Sequence, residues 1–155
     1  MKKIIILIIM ITIVTGCSCG KKEKLDKVTC ELVSDQSASG YVAYNTYEIY
    51  SNKDIVRKVS VEEKYESKDK TILDYFEKEL DRQYKNAKEQ YKGYEYKIKK
   101  EDNSVVSNVK IDYKKVDLEK FIKDNPAMKS YANDKNELTK DGIIQMYKNM
   151  GAECK

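Results

Sequence analysis

Residues 41–65, "YVAYNTYEIYSNKDIVRKVSVEEKY", decide the fold. Two runs rich in aromatic and β-branched residues alternate in polarity on either side of "SNKD" (residues 51–54). Alternate residues of a strand share a face, so Ile55, Val59 and Val61 are read onto one side of the second run. Two alternating runs joined by a short polar turn predict an antiparallel hairpin.

Downstream the period changes at Ser67. Leu73, Phe76, Leu80, Tyr84, Ala87 and Tyr91 recur every three or four residues, the stripe of an amphipathic helix. Asp69 or Thr71 can cap its start and Gly93 its end. Alternation returns in "YEYKIKK" (residues 94–100) and "VVSNVKIDY" (residues 105–113), a second hairpin with Val105, Val109, Ile111 and Tyr113 on one face. Asp117 caps "LEKFIK", which Asn125-Pro126 interrupts because proline disfavours helix at the residue before it. "AMKSYA" can add a turn. Thr139 caps a last helix that places Ile143, Met146, Tyr147 and Met150 inward and stops at Gly151. Upstream, "VTCELV" (residues 28–33) reads as a short strand, and residues 34–40 as a loop. The order contains no βαβ alternation. It predicts an α+β fold: a twisted antiparallel sheet of about five strands, one long helix packed across a face, and short C-terminal helices.

The first residues address the chain. Lys2 and Lys3 precede an apolar run from Ile4 to Val14, followed by Thr15-Gly16-Cys17. This is the layout of an export signal, and the run is shorter than the ~20 apolar residues that a membrane span needs. "VTGC" (residues 14–17) resembles a bacterial lipobox, which implies diacylglyceryl transfer to the Cys17 thiol, cleavage after Gly16 and further acylation with a chain such as palmitate. The expected organisation is a signal peptide at residues 1–16, a lipidated tether at 17–27 and a single domain at 28–155. That makes the chain a cell-membrane lipoprotein on the extracytoplasmic face, held by two or more acyl chains.

Composition excludes several chemistries. The 155 residues contain no histidine, so His-based triads and His-ligated zinc are ruled out. Charged residues make up 36% of the chain with both signs interleaved, leaving no basic stripe of the kind nucleic acid demands. The carboxylates Glu62, Glu63 and Glu66, and Asp112 with Asp117, read as solvated faces and caps. Asp124, Asp134, Glu137 and Asp141 lie in one stretch but lack the spacing of a calcium loop. No metal and no cofactor is expected. With Cys17 lipidated, three cysteines remain. In an oxidising compartment the favoured pair is Cys30 with Cys154, ahead of Cys19 with Cys154 or free thiols.

The lipobox at Cys17, "TYEIYSNKDIVRKVSVEEKY", the tyrosine-rich helix, "VKIDYKKVDLEKF" and "LTKDGIIQMYKNMGAECK" resemble the YehR-like family of small bacterial lipoproteins. The resemblance spans nearly all of the mature chain and implies an α+β domain with an antiparallel sheet. It supplies no catalytic residues, and the cysteine pair rests on the compartment alone. The expected role is a non-catalytic binding or interaction module, monomeric, with an envelope protein or small molecule as partner. Tyr84, Tyr91, Tyr94 and Tyr96 are candidates to line a groove between helix and sheet. The alternatives are a carboxylate- or tyrosine-dependent envelope enzyme, or a structural surface protein with no specific ligand.

Overall fold

The computed structural model describes residues 23–155. The export signal, the lipobox with Cys17, and Cys19 lie outside the described residues. Six strands form one antiparallel sheet: β1 (Asp26–Gln36), β2 (Tyr41–Asn52), β3 (Ile55–Glu66), β4 (Tyr94–Lys100), β5 (Ser104–Asp112) and β6 (Glu153–Cys154). Their spatial order is β4-β5-β3-β2-β1-β6. Helix α1 (Lys70–Gln90) follows β3, and α2 (Leu118–Asp124), a 3₁₀ turn (Pro126–Tyr131) and α3 (Lys140–Asn149) follow β5. No helix among the described residues is long and apolar enough to cross a membrane.

Both predicted hairpins form, as β2–β3 and β4–β5. The strand count expected from sequence is corrected from five to six. The extra strand is the two-residue β6, which pairs with Cys30 and Glu31 of β1. The first strand also runs farther than its apolar core suggests, through Gln36, because β2 pairs with it along its whole length.

A second correction concerns β3. Pairing passes from Tyr50–Lys58 to Ser51–Val56 and skips Arg57. Two β3 residues therefore oppose one step of β2, and the bulge re-aims the side chains around it. Val56 enters the core at 2% exposure while Ile55 stays half-buried, so the single face read through Ile55 and Val59 breaks at Arg57.

Helix α1 starts where its chemistry predicts. The Asp69 side chain accepts a hydrogen bond from the Thr71 amide at 2.8 Å, satisfying one of the free N–H groups of the first turn. After Tyr91 the chain reverses at Gly93, whose φ of 93° suits glycine. A Cβ there would stand 2.6 Å from the Asp112 carbonyl oxygen, so glycine is also required by space. The Asp69 and Asp117 caps have a counterpart in Thr139, whose hydroxyl accepts from the Gly142 amide and starts α3. That helix ends at Asn149, one residue earlier than the apolar pattern suggests. Met150 therefore falls beyond it and is 54% exposed instead of facing inward, while Ile143 and Tyr147 are buried.

The apolar interior divides into two clusters. The larger joins Cys30, Tyr47, Ile49 and Val59 of the sheet to Tyr113, Phe121, Leu138, Ile143 and Tyr147 from the C-terminal third. The smaller joins Leu73 and Leu80 of α1 to Val105 of β5, with Tyr65, Phe76, Tyr84 and Ile98 packed against it. Cys30 and Cys154 sit directly opposite each other in the β1–β6 register, with sulfurs 2.02 Å apart in disulfide geometry. The adjacent Thr29 and Lys155 exchange both backbone hydrogen bonds, at 3.0 and 2.8 Å. The cysteines thus occupy the neighbouring pair without hydrogen bonds, where antiparallel strands bring Cα atoms closest.

Candidate functional site

The inner face of the sheet can be read row by row from the pairing. One row consists of Cys30, Tyr47, Val61, Val109 and Tyr96. The row two residues along β3 is Leu32, Asn45, Glu63, Ser107 and Ile98. The next contains Ala43, Tyr65 and Val105. Cys30, Tyr47 and Val61 of the first belong to the larger cluster, and Tyr65 and Val105 of the third to the smaller. Between them lies a polar row, Asn45–Glu63–Ser107.

That placement corrects the solvated reading of Glu63. Its neighbour Glu62 faces the opposite side of the sheet, since alternate residues share a face, and it pairs with Thr46 and Asn108 there. Glu63 points inward, where Oε2 accepts hydrogen bonds from the Ser107 hydroxyl at 2.8 Å and from the Tyr84 hydroxyl of α1 at 2.5 Å. Ser107 is completely buried. Burying a hydroxyl without a partner costs about 1–3 kcal/mol, so Glu63 offsets that penalty for both hydroxyls at once.

Electrostatics around Glu63 follow from burial and from its charge. Desolvation, and then the nearby carboxylate, push the Tyr84 phenol far above its ordinary value. Tyr65 on the same face of β3 is pushed up to about 12, first by burial and then by Glu63. Tyr47 and Tyr147, stacked with centroids 4.0 Å apart, are shifted upward by burial and by the same carboxylate. At neutral pH all four phenols therefore stay protonated. In that form they can donate hydrogen bonds and stack.

The four tyrosines singled out by sequence do not form one wall. They separate into two pairs. Tyr84 and Tyr96 lie near the polar row with centroids 5.9 Å apart, and the Tyr96 hydroxyl donates to Asp81 of α1 at 2.9 Å. Tyr91 and Tyr94 lie at the far end of α1, also 5.9 Å apart, against the C-terminal cluster. Tyr91 packs edge-on to Phe121 and donates to Asp124 at 2.9 Å. A hollow of about 1060 Å³ among the described residues contains none of the four; Tyr41, Ser67, Asp69, Glu101 and Asn103 are among its walls. Asp112 and Asp117 are local caps, accepting from the Lys114 and Lys120 amides. Among the described residues, no three acidic or cysteine side chains are grouped to hold a metal, so Asp124, Asp134, Glu137 and Asp141 do not converge. Glu63 is the residue sequence reasoning misplaced. The signal that finds it is parity: it falls in step with Val59, Val61 and Tyr65.

No protein-family model matches the chain, and no curated protein matches it. Two solved structures share its architecture. The NMR structure of the Escherichia coli YehR protein aligns with a TM-score of 0.54 and 21% identity, covering 86% of this chain and 92% of that one. The NMR structure of a protein from Streptococcus pneumoniae TIGR4 aligns with a TM-score of 0.51 and 15% identity, covering 87% of each. At these identities the likeness is one of fold, and the chain has a YehR-like fold.

Proposed function

We propose that this chain is an exported lipoprotein of YehR-like type, acylated at Cys17 and held on the extracytoplasmic face of the cell membrane as a non-catalytic binding module. The observation that carries the reading is the cysteine pair. Cys30 and Cys154 meet from opposite ends of the domain in disulfide geometry, which suits an oxidising compartment. The lipobox-like "VTGC" supplies the matching address. In this reading α1 lies across the β3–β5–β4 end of the inner face. The ligand contacts are then Glu63, Tyr84 and Tyr96, grouped at the polar row beneath α1.

Intact-mass and N-terminal analysis of the protein from cell membranes tests the address. A thioether-linked diacylglyceryl group on Cys17 and a bridged Cys30–Cys154 pair are the expected result. An unmodified Cys17, or an N-terminus generated elsewhere, overturns it. Crosslinking in intact cells tests the module: one stoichiometric envelope partner, lost on Tyr96→Ala with the fold intact, is expected. Recovery of no specific partner favours the purely structural alternative.

A further inference from the structure

On the opposite face of the sheet from α1, a cleft of about 350 Å³ opens where β3, β4 and β5 end. Five cationic residues line it, Arg57, Lys58, Lys110, Lys114 and Lys115, against two acids, Glu95 and Asp112. Two features separate it from an ordinary mixed surface. The first is the β3 bulge, which takes Arg57 out of the ladder between Tyr50–Lys58 and Ser51–Val56. Its Nε is buried with no hydrogen-bond partner among the described residues. Its Nη1 stands 3.9 Å from Glu137, an ion pair without hydrogen-bond contact.

The second feature is an occupant. Leu25, at the root of β1, lines the cleft, and two residues earlier Glu23 reaches into the same cationic group. Its carboxylate accepts from the Lys114 ammonium and from the Asn52 side-chain amide, and stands 3.8 Å from Arg57 Nε. Lys114 and then Asn52 hold the Glu23 carboxyl below the usual range. The chain thus places one of its own anions where guanidinium, ammonium and amide donors converge, a donor set that suits oxyanions.

We propose that this cleft is a binding site for a phosphate group, which enters by displacing Glu23. The charge arithmetic favours phosphate over a simple carboxylate. The lining residues carry a net charge of +3, five cations less two acids. Glu23 cancels one of these, and a phosphate dianion in its place cancels two. Lys58 and Lys115 are the least available of the five: Lys58 lies 4.7 Å above the Tyr50 ring, and Lys115 stands 3.5 Å from Asp112. Arg57, Lys110, Lys114 and the Asn52 amide are therefore the primary donors. The same chemistry fits free phosphate and the phosphodiester of an anionic lipid headgroup. The proposal holds whether or not Cys17 is acylated.

Amide NMR of the full chain in neutral detergent tests it, with inorganic phosphate and glycerophosphoglycerol as probes and glycerophosphocholine as the zwitterionic control. Saturable shifts at Asn52, Arg57 and Lys114 are expected with the anionic probes. Tighter binding of inorganic phosphate identifies a free-phosphate site; tighter binding of glycerophosphoglycerol identifies a headgroup site. Lys114→Gln is expected to weaken binding about tenfold, the loss of one charge-assisted contact. Glu23→Gln removes the internal competitor and tightens binding several-fold, whereas Asp134→Asn, an equal charge change outside the cleft, leaves it unchanged. Equal effects of Glu23→Gln and Asp134→Asn reduce the cleft to nonspecific attraction and overturn the proposal. So does the absence of saturable shifts in both the wild-type and Glu23→Gln chains.

Discussion

Reducing Cys30–Cys154 without changing a residue isolates the cross-link from side-chain packing. The two cysteines are 124 residues apart in sequence, so the bridge closes nearly the whole domain into one loop. Chain entropy for a loop of that length gives a stabilisation of about 5 kcal/mol, exerted chiefly on the unfolded chain. The folded state loses little in direct contacts, because β6 has only two residues and the Thr29–Lys155 hydrogen bonds can remain. With a urea m-value of about 2 kcal/mol per molar, the unfolding midpoint is expected to fall by about 2.5 M on reduction. The assay is paired urea unfolding with and without a thiol-free reductant, followed by far-ultraviolet circular dichroism. The slope m should rise as well, since the reduced unfolded chain exposes more surface. A midpoint shift below about 0.5 M, or about 1 kcal/mol, refutes the loop-closure reasoning. It would show either that the cysteines are unpaired in the protein or that the unfolded chain is already compact.

Other perturbations test the interior. Leu73 is fully buried in the smaller cluster, so Leu73→Ala is expected to cost about 3 kcal/mol in chemical denaturation, the range for a leucine deleted from a packed core. Glu63→Ala strands both the Tyr84 and Ser107 hydroxyls and should destabilise by about 2–3 kcal/mol. Adding Tyr84→Phe should recover about 1 kcal/mol of that in a double-mutant cycle, and strict additivity would refute the shared hydrogen bond. The upward shift of Tyr65 to about 12 sets a pH window. A phenol whose folded value is raised above its unfolded ~10 contributes its stability below pH ~10 and loses it as pH rises toward 12. Tyrosinate absorbance should show this group titrating late, and a Tyr65→Phe chain should lose less stability across the same window.

Periodicity carried the larger elements because each has enough residues to average over. The α1 stripe predicts the buried Leu73, Leu80 and Tyr91, and the alternating runs predict both hairpins. The misreadings occur where a single residue decides. The β6 strand is two residues long and has no pattern of its own; the pairing with β1 creates it. The bulge at Arg57 reverses the alternation on the N-terminal side of β3, which no local composition announces. Charge alone makes Glu63 a solvent-facing acid beside Glu62, although its parity matches Val61 and Tyr65. Its burial is supportable only because β5 supplies Ser107 and α1 supplies Tyr84, contacts from 44 and 21 residues away. The grouping of Glu23 with Lys114 is likewise a product of topology, joining residues 91 positions apart.

The polar row has a mechanical consequence for how this domain is held together. Asn45, Glu63 and Ser107 interrupt the apolar inner face, so α1 is fastened through Leu73 and Leu80 while the C-terminal helices are fastened through Phe121, Ile143 and Tyr147. The sheet is the element common to both clusters. The cysteine pair lies with the larger cluster: Cys30 is buried in it and Cys154 packs against it. Helix α1 has no such covalent reinforcement. At the polar row it is tied to the sheet by the Tyr84–Glu63 hydrogen bond, and at its margin by exposed contacts from Asp74 and Asp81 to Lys100 and Tyr96 of β4. Exposed pairs of that kind contribute little. The packing therefore assigns the lower cost of local opening to α1, and an opening there uncovers Glu63 and Ser107 while the disulfide-bonded half remains closed.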